Sequence, residues 1–408
     1  MAKKRMRWLD LAKGVAILLM VLGHCLADDC LLHGFIYSFH MPLFFLAAGF
    51  TMRAKPRRQV IASSARRLLV PYLVVCSILF LFAFISPNSL NANLDTQRSW
   101  PVVLVEILYA SGDSGTILGH AFQAIGALWF LPCLFVARIL LNEVLLHVEA
   151  LDNRLSDAPS AAARIARAPR PLQRAASSPL AIWATRHAPA LFEGTCVAGM
   201  VALGIAIGSQ ARLPFDMDTA LVCTFFMYIG ILAKRHDTMH APLAFWLLMA
   251  AVWSAYTVYG SGDIAVRSYL DTPITLVTAA AGSMVVMKLC MVLDRFGTPA
   301  VNKGLAWCGT ASLYILCVHR VESAVFNWQK IMEFFRPDVW GWDQTLQGLY
   351  WFGLRAMLVL ACTYVLNRLI QAGSRAWHER RRARASQTAS SLATQGKQAH
   401  AVRRGASA

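Results

Sequence analysis

Apolar runs of about 20 residues alternate with short polar segments along nearly the whole chain, and a run of that length is what an α-helix needs to cross a bilayer. The runs lie near 9–27, 34–52, 68–86, 125–148, 191–208, 217–233, 243–259, 272–293, 305–325 and 346–367. They predict an all-α fold, a polytopic transmembrane helical bundle of about ten spans. A helix satisfies its own backbone groups in lipid, which is why helices are expected here. Basic residues precede the first run, as they would in a secretory leader. Asp10 and Lys13 interrupt it, however, and no small-x-small cleavage site follows. It reads as a retained span.

The segments between the runs carry two polar stretches. Residues 150–188 are rich in Ala, Arg, Pro and Ser and show no sustained apolar periodicity. A disordered loop is expected there, apart from a short surface helix. From residue 378 an arginine cluster leads into a polar sequence, expected to be a disordered basic tail over 378–408, after a membrane domain over 1–377. WPVVLVEILYA at 100–110 is amphipathic and suits an interface. Asp95, Glu106, Asp113, Asp338, Trp340, Trp342 and Asp343 collect in loops on one side. Aromatic faces with carboxylates suit carbohydrate, and they equally suit a plain interfacial belt.

Composition agrees with a membrane chain: 408 residues are 57% hydrophobic and only 15% charged, with a mean hydropathy of +0.48. The net charge of +17 invites a nucleic-acid reading, but its distribution argues against one. With the N-terminus in the cytoplasm, most of the 39 Lys and Arg fall in inner segments, and the outer segments hold Arg98, Arg212, Arg267, Lys330 and Arg336. This is the positive-inside pattern, and it puts both termini in the cytoplasm. The expected partners of the basic clusters are therefore anionic membrane lipids, not nucleic acid. The ten cysteines show no metal-binding spacing. Cys25 and Cys30 lie near the outer face, where an oxidising compartment would let them pair.

Candidate chemistry concentrates in VLGHCLADDCLLHGFIYSFHMPLFFL, residues 21–46. At 100° per residue, Asp10, Lys13 and His24 share one face of the first span, with His24 about 21 Å along the axis from Asp10. The turn at 28–33 makes the first two spans antiparallel neighbours. His24 and His40 then match in depth to within about 3 Å, and His319, in GTASLYILCVH, sits at a similar depth in its own span. Three imidazoles at one depth fit a buried polar site, because ionisable groups in spans usually face a cavity or the bundle interior. Other readings stay open: a neutral ring bonded to a carbonyl, an interfacial anchor at Asp10–Lys13, or a histidine proton relay in a transporter or glycan flippase. The potential ligands around the turn match no usual metal pattern, so no metal is expected.

RWLDLAKGVAILLMVLGH, SFHMPLFFLAAGF, RRLLVPY, LWFL and GTASLYILCVH, in that order from residue 7 to about 320, resemble the acyltransferase-3 family of integral membrane acyltransferases, in its fucose 4-O-acetylase-like flavour. The resemblance implies an O-acetyltransferase of the bacterial-type inner membrane. It would move an acyl group, commonly acetyl, from cytoplasmic acyl-CoA to a hydroxyl of an extracytoplasmic glycan or related acceptor. It marks His24 as the essential histidine, with Asp10, His40, His319 and Tyr314 in catalytic roles, and Arg66, Arg67, Lys13 and Trp129 for the acyl-CoA. Pro42, Pro71, Tyr72 and Ser312 also fall on its motifs. Two departures stand out. Ser63 and Ser64 occupy positions where a second spaced basic residue often falls, and LAAGF replaces LSGY. Arginine forks suit the phosphates of CoA, while lipid headgroups are the plainer partner for such a cluster. His24 would act as general base or accept the acyl group itself, with Tyr314, Ser312 or His40 as candidate oxyanion donors.

Overall fold

The computed structural model describes residues 5–85, 100–117, 120–122, 124–156, 178–326, 328–335, 338 and 341–405. Arg98, Asp95, Arg336, Trp340 and residues 157–177 of the expected loop lie outside them. The chain divides into two units, Met1–Ala356 and Met357–Ala408.

Helix α1 (Arg7–Gly23) opens the first unit. A single apolar segment then forms α2 (Leu31–Tyr37) and α3 (His40–Phe50), broken at Ser38–Phe39. α4 (Arg57–Ser64) passes through a π-helical turn, Ala65–Leu69, into α5 (Val70–Ile85). Next come α6 (Trp100–Tyr109) and a short antiparallel ribbon of β1 (Gly115–Ile117) and β2 (His120–Phe122). A 3-10 turn at Gly126–Trp129 leads into α7 (Phe130–Ser156), followed by α8 (Pro179–Gly208) and α9 (Met217–Arg235). α10 (Leu243–Ser254), α11 (Tyr256–Tyr259), α12 (Thr275–Phe296), α13 (Pro299–Thr310), α14 (Ser312–Val325) and α15 (Trp328–Phe335) complete the sequence before α16 (Gln344–Gly405).

The fold is an all-α polytopic bundle. Each expected apolar run is helical, and seven helical stretches among the described residues are long and apolar enough to cross a membrane by length and composition. α1 has 17 residues, the run at 305–325 is interrupted at Ala311, and the run at 243–259 is shorter than those seven. The second unit is the continuation of α16, which runs on to Gly405 where composition argues for a disordered tail. The stretch is rich in Ala, Arg and Gln, all good helix formers, and has no proline to stop it.

Two helix pairs set the frame of the first unit. α1 packs closely on α13, and α3 on α9. Both contacts are glycine to backbone. A Cβ added at Gly14 would overlap the Leu305 carbonyl, and one at Gly309 the Asp10 carbonyl; Gly49 and Gly230 meet the Met227 and Leu46 carbonyls in the same reciprocal way. Lipid offers no hydrophobic drive for helix association, so such close approach supplies the packing energy instead.

The break between α2 and α3 is stabilised by neighbours. Trp253 Nε1 donates to Ser38 Oγ at 2.8 Å, Ser283 Oγ to the Phe39 carbonyl at 3.1 Å, and Ser38 Oγ to the Phe35 carbonyl at 2.7 Å. A span can interrupt its ladder where such partners are present. The interruption puts His40 at the first residue of α3.

Candidate active site

His24 caps the C-terminal end of α1, and its ring opens into a cavity of about 190 Å³ that it shares with Tyr37, His40, Trp129 and Asp263. His24 Nδ1 lies 2.7 Å from the Met20 carbonyl, and His40 Nδ1 lies 2.9 Å from the Ile36 carbonyl. A carbonyl can only accept, so in both neutral rings the proton sits on Nδ1 and the Nε2 lone pair is left for chemistry. Tyr37 meets His40 edge-on at 4.7 Å and stacks on His33 at 3.9 Å.

The third ring comes from α14. His319 lies with its centre 5.1 Å from that of His24. Behind it stands a carboxylate that the sequence reading did not select. Glu322 Oε1 is 2.8 Å from His319 Nδ1, and the same oxygen accepts from Arg355 Nη2 at 2.8 Å and Nε at 3.1 Å. Trp328 Nε1 donates to Glu322 Oε2. Glu322 is 3% exposed and Arg355 9%, so this is a buried pair whose charges compensate each other. Arg355 Nη1 also reaches the His24 carbonyl at 3.3 Å, tying the network back to α1. The pattern is an oriented histidine: the carboxylate fixes the ring and its tautomer, and the guanidinium fixes the carboxylate.

A second, larger cavity of about 490 Å³ reaches from the start of α1 into the same interior. Lys13, Arg66 and Arg67 line it, together with Ser312, Tyr314 and a largely apolar wall that includes Ile17, Phe44 and Leu134. Arg66 and Arg67 stand on the π-helical turn, a local unwinding often found at functional sites. Lys13 Nζ pairs with Asp10 Oδ1 at 2.7 Å, and Arg5 Nε with Asp10 Oδ2 at 2.6 Å. Met20 and Met41 line both cavities.

The loop between α11 and α12 closes over the histidine cavity. Arg267, 2% exposed and with a left-handed φ of 59°, bonds Asp216 and Asp218 at 2.7 Å each. Asp216 in turn accepts from the Gly112 N–H at 2.8 Å. A non-glycine residue holds such a φ only where its surroundings over-determine it, and this buried ion cluster does so. The cluster thereby places Asp263, Ala265 and Val266 at the cavity. Asp263 Oδ1 accepts from the Ala265 N–H at 2.9 Å. Burial pushes its carboxyl up to about 6, and the nearby charges of Asp28 and Asp113 add to that, against the pull of the Ala265 N–H.

The structure thus separates the residues singled out from the sequence. His24, His40 and Trp129 line one cavity, with His319 against His24. Lys13, Arg66, Arg67 and Tyr314 line the other. Trp129 therefore lines the cavity of the histidines and not that of Lys13, Arg66 and Arg67, while Tyr314 lines the cavity of those cationic residues. Asp10 holds Lys13 and Arg5 at the opposite end of α1 from His24. Glu322 and Arg355 did leave a signal, since charged residues within spans demand partners. Asp263 left none, because a folded loop brings it in. Cys25 and Cys30 are free thiols. Among the described residues no group of three His, Cys, Asp or Glu is placed to hold a metal ion.

No solved structure matches the chain. Among curated proteins, the nodulation protein NolL of Mesorhizobium japonicum is 29% identical over 162 residues, which are 36% of this chain and 36% of that protein. The chain thus spans about a third of the length of the curated relative it matches. The acyltransferase-3 family model, described as an acyltransferase domain, matches residues 6–368, taking in both cavities and the Glu322–Arg355 pair. Over nearly its whole length, then, the chain belongs to the acyltransferase-3 family.

Proposed function

We propose that the protein is an integral inner-membrane O-acyltransferase that takes an acetyl group from cytoplasmic acyl-CoA and gives it to a hydroxyl of an extracytoplasmic glycan or related acceptor. One observation carries this reading: a cavity lined by Lys13, Arg66 and Arg67 meets a cavity lined by His24 and His40 across two shared methionines. Each cavity suits one of two substrates, and the reaction site lies where they meet.

The cationic end suits the phosphates of CoA. From Lys13 to His24 the rise along α1 is about 16 Å, a length that suits an extended pantetheine arm, and the apolar wall between them suits its thioester end. On the other side, Trp129 and Tyr37 offer aromatic faces and Asp263 a carboxylate, the combination that binds a hydroxylated ring. A cavity of about 190 Å³ is small for an acceptor hydroxyl and an acyl group together, which favours acetyl over longer chains. Basic residues at the Arg66–Arg67 end support a cytoplasmic location for that end and for both termini.

In the general-base version, His24 Nε2 takes the proton from the acceptor hydroxyl as its oxygen attacks the thioester carbonyl. The tetrahedral intermediate then collapses, the C–S bond breaks, and the imidazolium returns the proton to the CoA thiolate. In the acyl-relay version, His24 Nε2 attacks the thioester carbonyl, the C–S bond breaks and the CoA thiolate leaves; the acceptor oxygen then attacks the acyl carbon, its proton passes to the thiolate, and the C–Nε2 bond breaks to return the neutral imidazole. Gly126 and Ala127, at the turn that leads into α7, line the same cavity, and backbone N–H groups turned toward it would stabilise an oxyanion. Interrupted spans such as α2–α3 also occur in transporters; the family membership supports acyl transfer.

The test is transfer in sealed membrane vesicles, with radiolabelled acetyl-CoA supplied on the cytoplasmic side. Alkali-labile label in a glycan fraction, lost in His24→Ala, is expected. Equal labelling by wild type and variant would remove His24 from the chemistry. Failure of every acyl-CoA tried would overturn the reading.

A further inference from the structure

Met20 and Met41 are the residues common to both cavities, and each stands beside a histidine in the chain or the helix. Met20 stands one turn before His24, and its carbonyl takes the His24 Nδ1–H. Met41 follows His40 in the chain. Both side chains are buried, at 1% and 9% exposure. On one side of them lie Ile17, Phe44 and Leu134; on the other lie His24, His40 and Trp129.

We propose that the Met20 and Met41 side chains form the partition that the acyl thioester must pass, and that this partition sets the acyl-chain length the protein transfers. The inference rests on the acyl-CoA reading above. A donor arriving from the cationic end leads with its acyl group, so the acyl carbons enter the histidine cavity before the carbonyl carbon reaches His24. The small volume beyond the methionines, shared with the acceptor, admits a short acyl group. A longer one needs space beside the thioester, where the two methionines stand. Methionine suits a partition that opens and closes, because its unbranched chain has three rotatable bonds and a polarisable thioether that packs against varied surfaces. A β-branched residue would be stiffer here.

The experiment uses the full-length protein in sealed membrane vesicles that retain the glycan fraction as acceptor, with acetyl-, butyryl- and octanoyl-CoA as donors. Met20→Ala and Met41→Ala are expected to raise the octanoyl-to-acetyl ratio of kcat/KM at least tenfold. Met20→Leu and Met41→Leu, which conserve volume, are expected to stay within about threefold of the wild-type ratio. An unchanged ratio in both alanine variants, with acetyl transfer still measurable, overturns the partition and leaves the acyltransferase reading standing. Wild type inactive with all three donors, while His24→Ala is equally silent, overturns both. Should an alanine variant lose activity altogether, binding decides. Unreactive S-ethyl- and S-octyl-CoA thioethers are titrated onto the purified protein, and a tenfold gain for S-octyl relative to S-ethyl is expected. No change in that preference overturns the proposal.

Discussion

His24 and His319 place their ring centres 5.1 Å apart, one at the end of α1 and the other within α14. Their second nitrogens are committed differently. The Nδ1–H of His24 goes to a neutral carbonyl, and Nδ1 of His319 faces a carboxylate that Arg355 holds. The carboxylate fixes the orientation and the tautomer of the His319 ring. His319 is thus held beside His24, in a place to hand on a proton that His24 would take from the substrate.

This asymmetry gives the first prediction. His24→Ala should abolish measurable transfer, a loss of roughly 10³-fold or more, and His319→Ala should lower kcat by about 10²-fold, both within the range of general acid–base contributions. Steady-state kinetics in vesicles, with insertion checked by protease protection, measures both. If His319→Ala keeps wild-type kcat, the relay role is wrong.

How much of this was in the sequence depends on the residue. The fixed rise per residue predicts one depth for His24, His40 and His319, and the structure brings His24 and His40 to one cavity with His319 against His24. Which ring touches which was not legible, since packing of α14 against α1 depends on contacts far apart in the chain. The break at Ser38–Phe39 was legible only in part. Pro42, in the first turn of α3, marks a helix start nearby, because it offers no N–H to the Ser38 carbonyl four residues before it; the partners that stabilise the break, Trp253 and Ser283, come from other helices. Trp129 was assigned by motif alone, and a motif does not say which of two adjoining cavities its residue faces. Glu322 was readable in principle, as a carboxylate three residues from His319 in an apolar span.

Glu322 supports a second prediction, as a positioning residue. Glu322→Gln keeps the shape but leaves the buried Arg355 charge uncompensated, so stability should fall by about 3 kcal/mol or more. Thermal unfolding of the detergent-solubilised protein reads that. Because the carboxylate also holds His319, the variant should shift the pH–kcat profile and leave acceptor KM nearly unchanged. A drop in Tm with an unaltered pH profile would make the pair structural only.

Arg66 and Arg67 give a third. If they hold phosphate groups, Arg67→Gln should raise KM for acetyl-CoA about tenfold with little change in kcat, the pattern of lost uniform binding, and the double Arg66→Gln, Arg67→Gln variant more so. Acetyl-pantetheine, which lacks the nucleotide phosphates, should react alike with wild type and variants. Equal sensitivity of both donors would mean that the arginines serve the fold or lipid headgroups.

The fourth concerns Asp263 and pH. Its carboxyl, pushed up to about 6 chiefly by burial, binds its proton more tightly in the fold than in the unfolded chain, where a carboxyl titrates near 4. The sign follows: protonation favours the fold, so this group makes the protein less stable as pH climbs from about 4 through 6. Function runs the other way. Above pH 6 the ionised carboxylate accepts hydroxyl hydrogen bonds on its free lone pairs; below it, the proton occupies one of them. Acceptor KM should therefore rise as pH falls below about 6, and Asp263→Asn should flatten both the KM profile and the stability slope. His24 and His40 line the same cavity, and Tyr37, Asp28 and Asp113 face this carboxyl. The comparison therefore uses acceptor KM rather than kcat, which the histidines dominate. An Asp263→Asn protein with the wild-type KM–pH curve would show that the acceptor is held by other groups.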